Sequence, residues 1–444
     1  MIEWKDSDRR YEWKAVTLLA LGFGLVGLDR FMILPMFPVM MKDLNLNYQD
    51  LGHITGVLSI AWGISAIFTG RLSDIIGRRR VVVGSIIAFS LLVGLSGLAG
   101  GLVSLLIIRA MMGFADGAYT PPSIVATLEA SKPSRHGLNI GLQQMTLPLL
   151  GLGLAPLIVT QLLHYVDWRW IFAFVAPPGF LIAFLLYRVL RDPTSKQAME
   201  HTAVHDAAAH KWGDVLKYRN VWLNMVGQLC WLTSLIMASA MMPSYLTDYL
   251  HLELGAMGFV MSAIGFGAAL GTLVMPGISD RIGRKPVMLI STVGGAISLV
   301  LLIGTGPHPM LLFTWLFLAQ FFTFACVTLT VGTLSAESVP VKLMATASGV
   351  VICVGELFGG GAVSIIAGYV AQHFGIQYVL HLAVAAMAIG FVNSTFLKET
   401  APRRRKGETS QPAPAAPVVT SAPAAAPAGG APLNAPAANP QQGS

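Results

Sequence analysis

Charge is what this sequence has least of. Only 11 % of its 444 residues are charged while 54 % are hydrophobic, against roughly 25 % charge in an ordinary soluble domain. Residues 81–108 carry no charged side chain at all. Length alone would suggest about three soluble domains, but too little of the chain is fit to face water. Composition therefore excludes a soluble globular enzyme and implies a multi-pass membrane protein. Cysteine is nearly absent too. Cys230, Cys326 and Cys353 each stand alone in an apolar stretch, which excludes a disulfide framework and any CxxC metal or redox motif; they read as small buried hydrophobes. There is no GxxxxGK[ST] and no HExxH, so the chain holds no P-loop for ATP and no zincin-type metal pair. No cofactor and no metal is expected. Uphill movement of a solute would draw on an ion gradient or on a partner chain.

What the sequence does have is apolar stretches of membrane-spanning length. A hydrocarbon core of about 30 Å needs about 20 residues of helix. Such stretches fall at 15–41, 48–70, 80–99, 102–126, 136–163, 167–190, 220–250, 253–276, 286–304, 309–332, 341–370 and 374–398, which predicts twelve spans. With both termini placed on one side, 25 of the 29 Lys and Arg fall on that side. Only Lys42 and Arg169 fall opposite, and Arg30 and Arg109 lie within spans. Basic loops face the cytoplasm, so both termini are expected to be cytoplasmic and the membrane to be a plasma membrane, by compactness a bacterial inner membrane. The net charge of +7 is then topology, and no nucleic-acid partner is implied.

The predicted organisation is all-α: a cytoplasmic start (1–14), a six-helix half (15–190), a polar linker (191–219) with His201, His205 and His210, a second six-helix half (220–398), and a Pro/Ala-rich tail (399–444) too poor in apolar residues to build a core. The halves repeat. LSDIIGRR at 72–79 recurs as ISDRIGRK at 278–285, and Glu129 with Pro133 recurs as Glu337 with Pro340. Six spans per half make the repeats parallel, related by an axis along the membrane normal. A carboxylate and arginines at a tight glycine turn, Asp74 with Arg78 and Asp280 with Arg284, suit a lock on neighbouring helix ends, a conformational gate rather than a substrate site.

The first loop, with Gly70, Leu72, Asp74, Gly77, Arg78, Arg79 and Arg80, resembles the signature of the major facilitator superfamily, and the second copy resembles it less completely. That resemblance implies the twelve-helix transporter fold over roughly residues 15–398.

Five ionisable residues lie well inside spans: Asp29, Arg30, Arg109, Asp116 and Glu356. Such groups are expensive in a bilayer and mark a pathway or its partner. Arg109 and Asp116 are two turns apart on one helix face, beside Gly113 and Gly117, which admit a close neighbour. The plainest reading of these charges is two internal ion pairs holding helices in register. Glu356 stands alone in GELFGGG with no basic residue near it in sequence, and His381 is a candidate for the same cavity. Tyr119 and Gln143 are ranked first among the polar candidates, ahead of Gln144, Gln228, Trp231 and Gln320.

The order Asp29-Arg30, then Arg109, Gly113, Asp116, Gly117 and Pro121, is similar to the anion:cation symporter branch of that superfamily. This resemblance implies proton-coupled uptake of a small organic anion (a sugar acid, an aromatic acid or another carboxylate) by a monomeric carrier that is not an enzyme. It also implies that Arg30 clamps the substrate carboxylate and that Asp116 carries the proton, tuned by Asp29 and Arg109; Tyr119, Gln143 and Glu356 are expected, from their own positions, to line the substrate cavity. Asp116 departs from the glutamate more usual there. Two other readings are a proton-driven exporter of drugs or metabolites, disfavoured because GLGLAPLIVT (151–160) lacks the exporters' glycine-proline pattern, and a non-transporting receptor, for which no signalling domain is visible.

Overall fold

The computed structural model describes residues 6–132, 135–191, 212–340 and 343–400. Regular structure among these residues is entirely helical. Twelve long helices follow one another: α1 (Arg9–Asp43), α2 (Tyr48–Ile76), α3 (Arg78–Ser96), α4 (Leu102–Ala130), α5 (Leu138–Leu162), α6 (Trp168–Val189), α7 (Arg219–Ala240), α8 (Leu254–Ile282), α9 (Arg284–Ile303), α10 (Pro309–Leu334), α11 (Thr346–His373) and α12 (Gln377–Thr395). Eleven of them are long and apolar enough to cross a bilayer by length and composition. The other, α2, runs for 29 residues where the second span is expected. Most of the linker and the tail beyond Thr400 lie outside the described residues.

Local chemistry explains the irregularities. Pro35 has no N–H to offer the carbonyl of Phe31, and α1 breaks its regular course at Met32. Stretches of π-helix interrupt α5 at Leu149–Leu154 and α11 at Gly355–Ala362, 206 residues apart like the sequence repeat. The two repeated loops also fold alike. Gly77 and Gly283 take φ of 96° and 107°, a region in which side chains are strained, and each is followed at once by a new helix.

Arg78 and Arg284, the first residues of α3 and α9, are both turned inward and buried. Arg78 pairs with Glu129 at the end of α4. Arg284 pairs with Glu337 beyond α10 at 2.9 Å and with Asp280 at 2.6 Å. The two repeat landmarks are thus partners, each arginine pairing with an acid of its own half. Asp74 lies in α2, with its side chain outside the described residues. Glu399, assigned by sequence to the tail, accepts hydrogen bonds from the N–H groups of Arg284 (2.8 Å) and Lys285 (3.2 Å). It caps the N-terminus of α9, where a carboxylate is favoured. Thr400 Oγ1 donates to Glu337 at 2.7 Å. The folded second half therefore continues through Thr400.

Within the first half, Gly117 of α4 lies against α2, as its size suggested: a Cβ there would sit 2.5 Å from the carbonyl oxygen of Trp62. Contact between halves is concentrated at the end away from the repeated loops. A Cβ on Gly52 of α2 would meet the Ser364 carbonyl of α11 at 2.5 Å, and Gly153 of α5 packs on Gly265 of α8. Tyr48 bridges the halves there, donating from its hydroxyl to Asp248 at 2.6 Å and from its N–H to Gln372 at 3.2 Å. Toward the loops the same helix pairs separate. A Cβ on Gly141 of α5 would meet a Leu273 methyl no nearer than 3.7 Å, and one on Gly349 of α11 would meet nothing within 4 Å among the described residues. The halves are closed at the far end and open at the basic end.

Two outcomes test this packing. Gly52→Val should push α2 from α11 at a cost of about 1–3 kcal/mol. A Thr55→Cys reporter should then react with a membrane-impermeant maleimide added at the far end several-fold faster than in the Gly52 parent, and an unchanged rate would contradict the closed far end. Glu337→Gln removes a charged partner from a buried guanidinium, worth roughly 1.5–3 kcal/mol. Thermal unfolding should fall by several degrees, whereas Glu253→Gln, at the opposite end, should leave it unchanged.

Candidate functional site

The ionisable residues inside the bundle fall into two groups with different access. Arg30 and Glu356 keep 9 % and 12 % side-chain exposure, whereas Arg109 and Asp116 are fully sealed. Only the first pair is reached by solvent.

Arg30 points from the break in α1 into the seam between the halves. Its Nη2 donates to Ser59 Oγ of α2 and to Glu356 Oε2 of α11, both at 3.0 Å. The guanidinium lies over the Trp62 ring at 4.6 Å and near Phe31 at 5.3 Å, so aromatic faces cover its apolar sides. Glu356 therefore has a basic partner, 326 residues away in sequence and in the opposite half. Beyond Arg30, toward the far end, a narrow cavity is lined by Thr55, Ser59, Ile236 and Ser239, with Arg109 behind it.

Arg109 does not pair with Asp116. Its Nη1 donates to the Asp29 main-chain carbonyl at 2.9 Å and to the Met112 sulfur at 3.4 Å, and its guanidinium lies 5.8 Å from the Phe172 ring centre. The expected intrahelical ion pair is replaced by a bridge from α4 to the α1 backbone, close to the break that leaves Arg30 facing the seam. Neither carboxylate oxygen of Asp116 has a hydrogen-bond partner, nor have Nε and Nη2 of Arg109. Asp116 feels the opposite charges of Arg30 and Arg109, and Asp29, 2 % exposed, feels Asp116 and Arg109. Four charges from two helices thus make one electrostatic cluster, with Glu356 attached through Arg30.

Other sequence candidates are placed elsewhere. Tyr119 is buried in the core of the first half, edge-on to Phe89 and stacked near Phe23, with its hydroxyl donating to the Leu19 carbonyl at 2.8 Å. Gln143 donates to Ser123 at 2.9 Å and is fully buried between α4 and α5. Both brace the first half, and neither lines the cavity beside Arg30. His381 is exposed on the outside of α12, bonded to the Gln377 carbonyl at 3.0 Å. Trp231 donates to Thr330 within the second half at 3.2 Å. Sequence reasoning missed Ser59 and Trp62, three residues apart on the α2 face that holds Arg30. Ordinary helical periodicity contained them, but nothing said which face of α2 meets α1.

The arrangement offers a permanent cation at a solvent-reached seam, already holding one carboxylate, with a sealed acidic cluster beside it. Among the described residues no group of His, Cys, Asp or Glu could hold a metal ion. Nothing in the site assembles a nucleophile with a base.

Comparison with known proteins agrees with this architecture. The model of the Major Facilitator Superfamily matches residues 19–254 and again 225–435. A putative metabolite transport protein of Haemophilus influenzae is 28 % identical over 86 % of this chain and 94 % of its own length. A probable 4-methylmuconolactone transporter of Cupriavidus pinatubonensis is 25 % identical over 96 % and 100 %. A probable L-galactonate transporter of Escherichia coli is 24 % identical over 63 % and 64 %. Among solved structures, a bacterial homologue of the human lysosomal transporter Spinster, inward-facing and unoccupied, shares the fold with a TM-score of 0.69 at 17 % identity, covering 87 % of this chain and 97 % of that one. The family model matches both halves and its relatives are named as transporters, so the chain belongs to the Major Facilitator Superfamily and is a membrane transporter of small metabolites rather than an enzyme.

Proposed function

We propose that the transporter carries a small organic anion together with protons, by alternating access, and that it works as an uptake symporter in a plasma membrane. One observation carries the substrate class: Arg30, at the solvent-reached seam, grips a carboxylate, that of Glu356. A guanidinium that keeps its charge when desolvated is suited to a carboxylate, and Ser59 and Trp62 fix its direction. A substrate carboxylate arriving from the open end would take the place that Glu356 holds. The relative named for L-galactonate supports an acid as cargo. With basic loops on the cytoplasmic side, the open end faces the cytoplasm.

Proton coupling rests on Asp116 with Asp29. An unpaired carboxylate buried in low dielectric is costly unless compensated or neutralised. Its only compensation here is electrostatic, from Arg30 and Arg109. Arg109 is fixed to the α1 backbone, so the variable contribution comes from Arg30, which the substrate engages. Substrate binding and the charge state of Asp116 are thereby linked without any direct contact.

Arg30→Lys keeps the charge but loses the planar fork. Binding of L-galactonate and of a panel of short carboxylates, followed by thermal shift, should weaken by about tenfold or more; wild-type binding would remove Arg30 from the substrate site. Asp116→Asn fixes a neutral side chain of similar shape. In proteoliposomes it should still exchange labelled for unlabelled anion while losing accumulation driven by an imposed pH gradient. Retained accumulation would move the coupling site to Asp29 or Glu356, and accumulation driven only by the opposite gradient would mark an exporter.

A further inference from the structure

Arg30 can orient a carboxylate, but a guanidinium leaves the rest of the anion unspecified. The walls beside it are more selective. The cavity that runs from Arg30 toward the far end lies in the seam itself. Ile33 and Leu34, just past the break in α1, form one side with Ile54 and Leu58 of α2, and Ile236 and Ala240 of α7 form the other. Nearly all of the surface turned inward is carbon, and no acidic side chain among the described residues lines it. The hydroxyls in the wall are mostly engaged. Thr55 donates to the Leu51 carbonyl at 2.8 Å, and Ser59 accepts from Arg30 at 3.0 Å. Ser239, fully buried, is left without a partner among the described residues. At the back, Arg109 is tied through Nη1 to the Asp29 carbonyl.

With the far end closed, the free space inside is about 20 Å³, room for about one water molecule. That is too small for the body of an organic anion. On the proposed function this is the collapsed form of the site. When the halves part at the far end, Ile236 and Ala240 would move away from Ile33, Leu34 and Ile54, and the cavity would become the passage by which an anion descends to Arg30. A carboxylate that meets the guanidinium at the inner end leaves its body against the carbon walls. There a sugar acid would give up water from several hydroxyls with only Ser239 to replace it, which is costly. A ring or hydrocarbon chain loses no hydrogen bond and buries apolar surface. On the carboxylate reading of Arg30, which this inference requires, we propose that the carried anion has an apolar body, an aromatic ring or a hydrocarbon chain. That body seats between Ile33 and Ile54 of the first half and Ile236 and Ala240 of the second.

Isothermal titration calorimetry of the purified full-length transporter with benzoate and gluconate, anions of similar size, tests this directly. Benzoate should bind more tightly than gluconate by about tenfold or more; equal affinities, or tighter gluconate, would overturn the proposal. Ala240→Leu fills the space, and Ile236→Thr keeps the branched shape while adding a hydroxyl. Each should cut the ratio of benzoate to gluconate affinity several-fold, and a ratio unchanged in both would also overturn it. Should Ala240→Leu fail to fold, Ile236→Thr decides alone. Phthalate bound more tightly than benzoate would place a second carboxylate on Arg109 and exclude an apolar body. Arg30→Lys separates the body from the clamp. If it leaves benzoate binding intact, the carboxylate clamp fails and the apolar body with it. If it abolishes binding while gluconate matches benzoate in the parent, only the apolar body fails.

Discussion

A guanidinium inside a helix bundle keeps its charge, so something must answer it. Two arginines pose that demand here and receive different answers. Arg109 is satisfied within its own half by the Asp29 carbonyl, the Met112 sulfur and the Phe172 ring. That answer survives any movement of one half against the other. Arg30 takes Ser59 and Trp62 from its own half but its counter-anion, Glu356, from the opposite one. An ion pair across the seam has to be broken and replaced when the halves move, and a bare buried charge is too costly to persist. On the proposed function, the need for a carboxylate at Arg30 would tie the ionic state of the site to the relative position of the two halves.

Backbone geometry brings that carboxylate within reach. Glu356 sits in the π-helical Gly355–Ala362 stretch of α11. π-bulges are frequent at functional sites, and this one carries the only acidic side chain in the middle of the helix. The glycines around it have a specific use. A Cβ on Gly360 would stand 3.0 Å from Glu356 Oε2 and 3.2 Å from Ser59, filling the space through which the carboxylate reaches Arg30. Farther along the same helix pair, Gly52 and Gly368 allow direct contact of backbones. One stripe of small residues thus closes the far end and leaves room for the ion pair in the middle.

Much of this was legible in the sequence, and the limit of legibility has a physical form. Span lengths, the parallel repeat and the glycine turns at Gly77 and Gly283 depend on local composition and local φ, which neighbouring residues determine. The link of Glu129 with Arg78 and of Glu337 with Arg284 was half visible, since both partners recur at nearly the same offset. What could not be read was rotation: which face of each helix meets which neighbour. Tyr119 and Gln143 lie on the charged half as expected, yet their helices turn them to Leu19 and Ser123, away from the cavity. Arg109 and Asp116 share a helix face in sequence, but a guanidinium on a long stem prefers a carbonyl on α1. Glu356 looked unpartnered because its partner is 326 residues distant.

The two groups of charges make most sense together. On the proposed function, an anion that occupies Arg30 releases Glu356 at a seam where both are partly wet, so the displaced carboxylate can be met by water or by a proton. At the same time Arg30 becomes engaged by a ligand that can move with either half, and the compensation felt by Asp116 changes with it. Asp116 is sealed, and neither of its carboxylate oxygens has a hydrogen-bond partner. On the proposed function its response is to gain or lose a proton. A sealed carboxyl beside one fixed and one exchangeable cation would, on that function, respond to events at the seam, and coupling would need no contact between the proton and the anion.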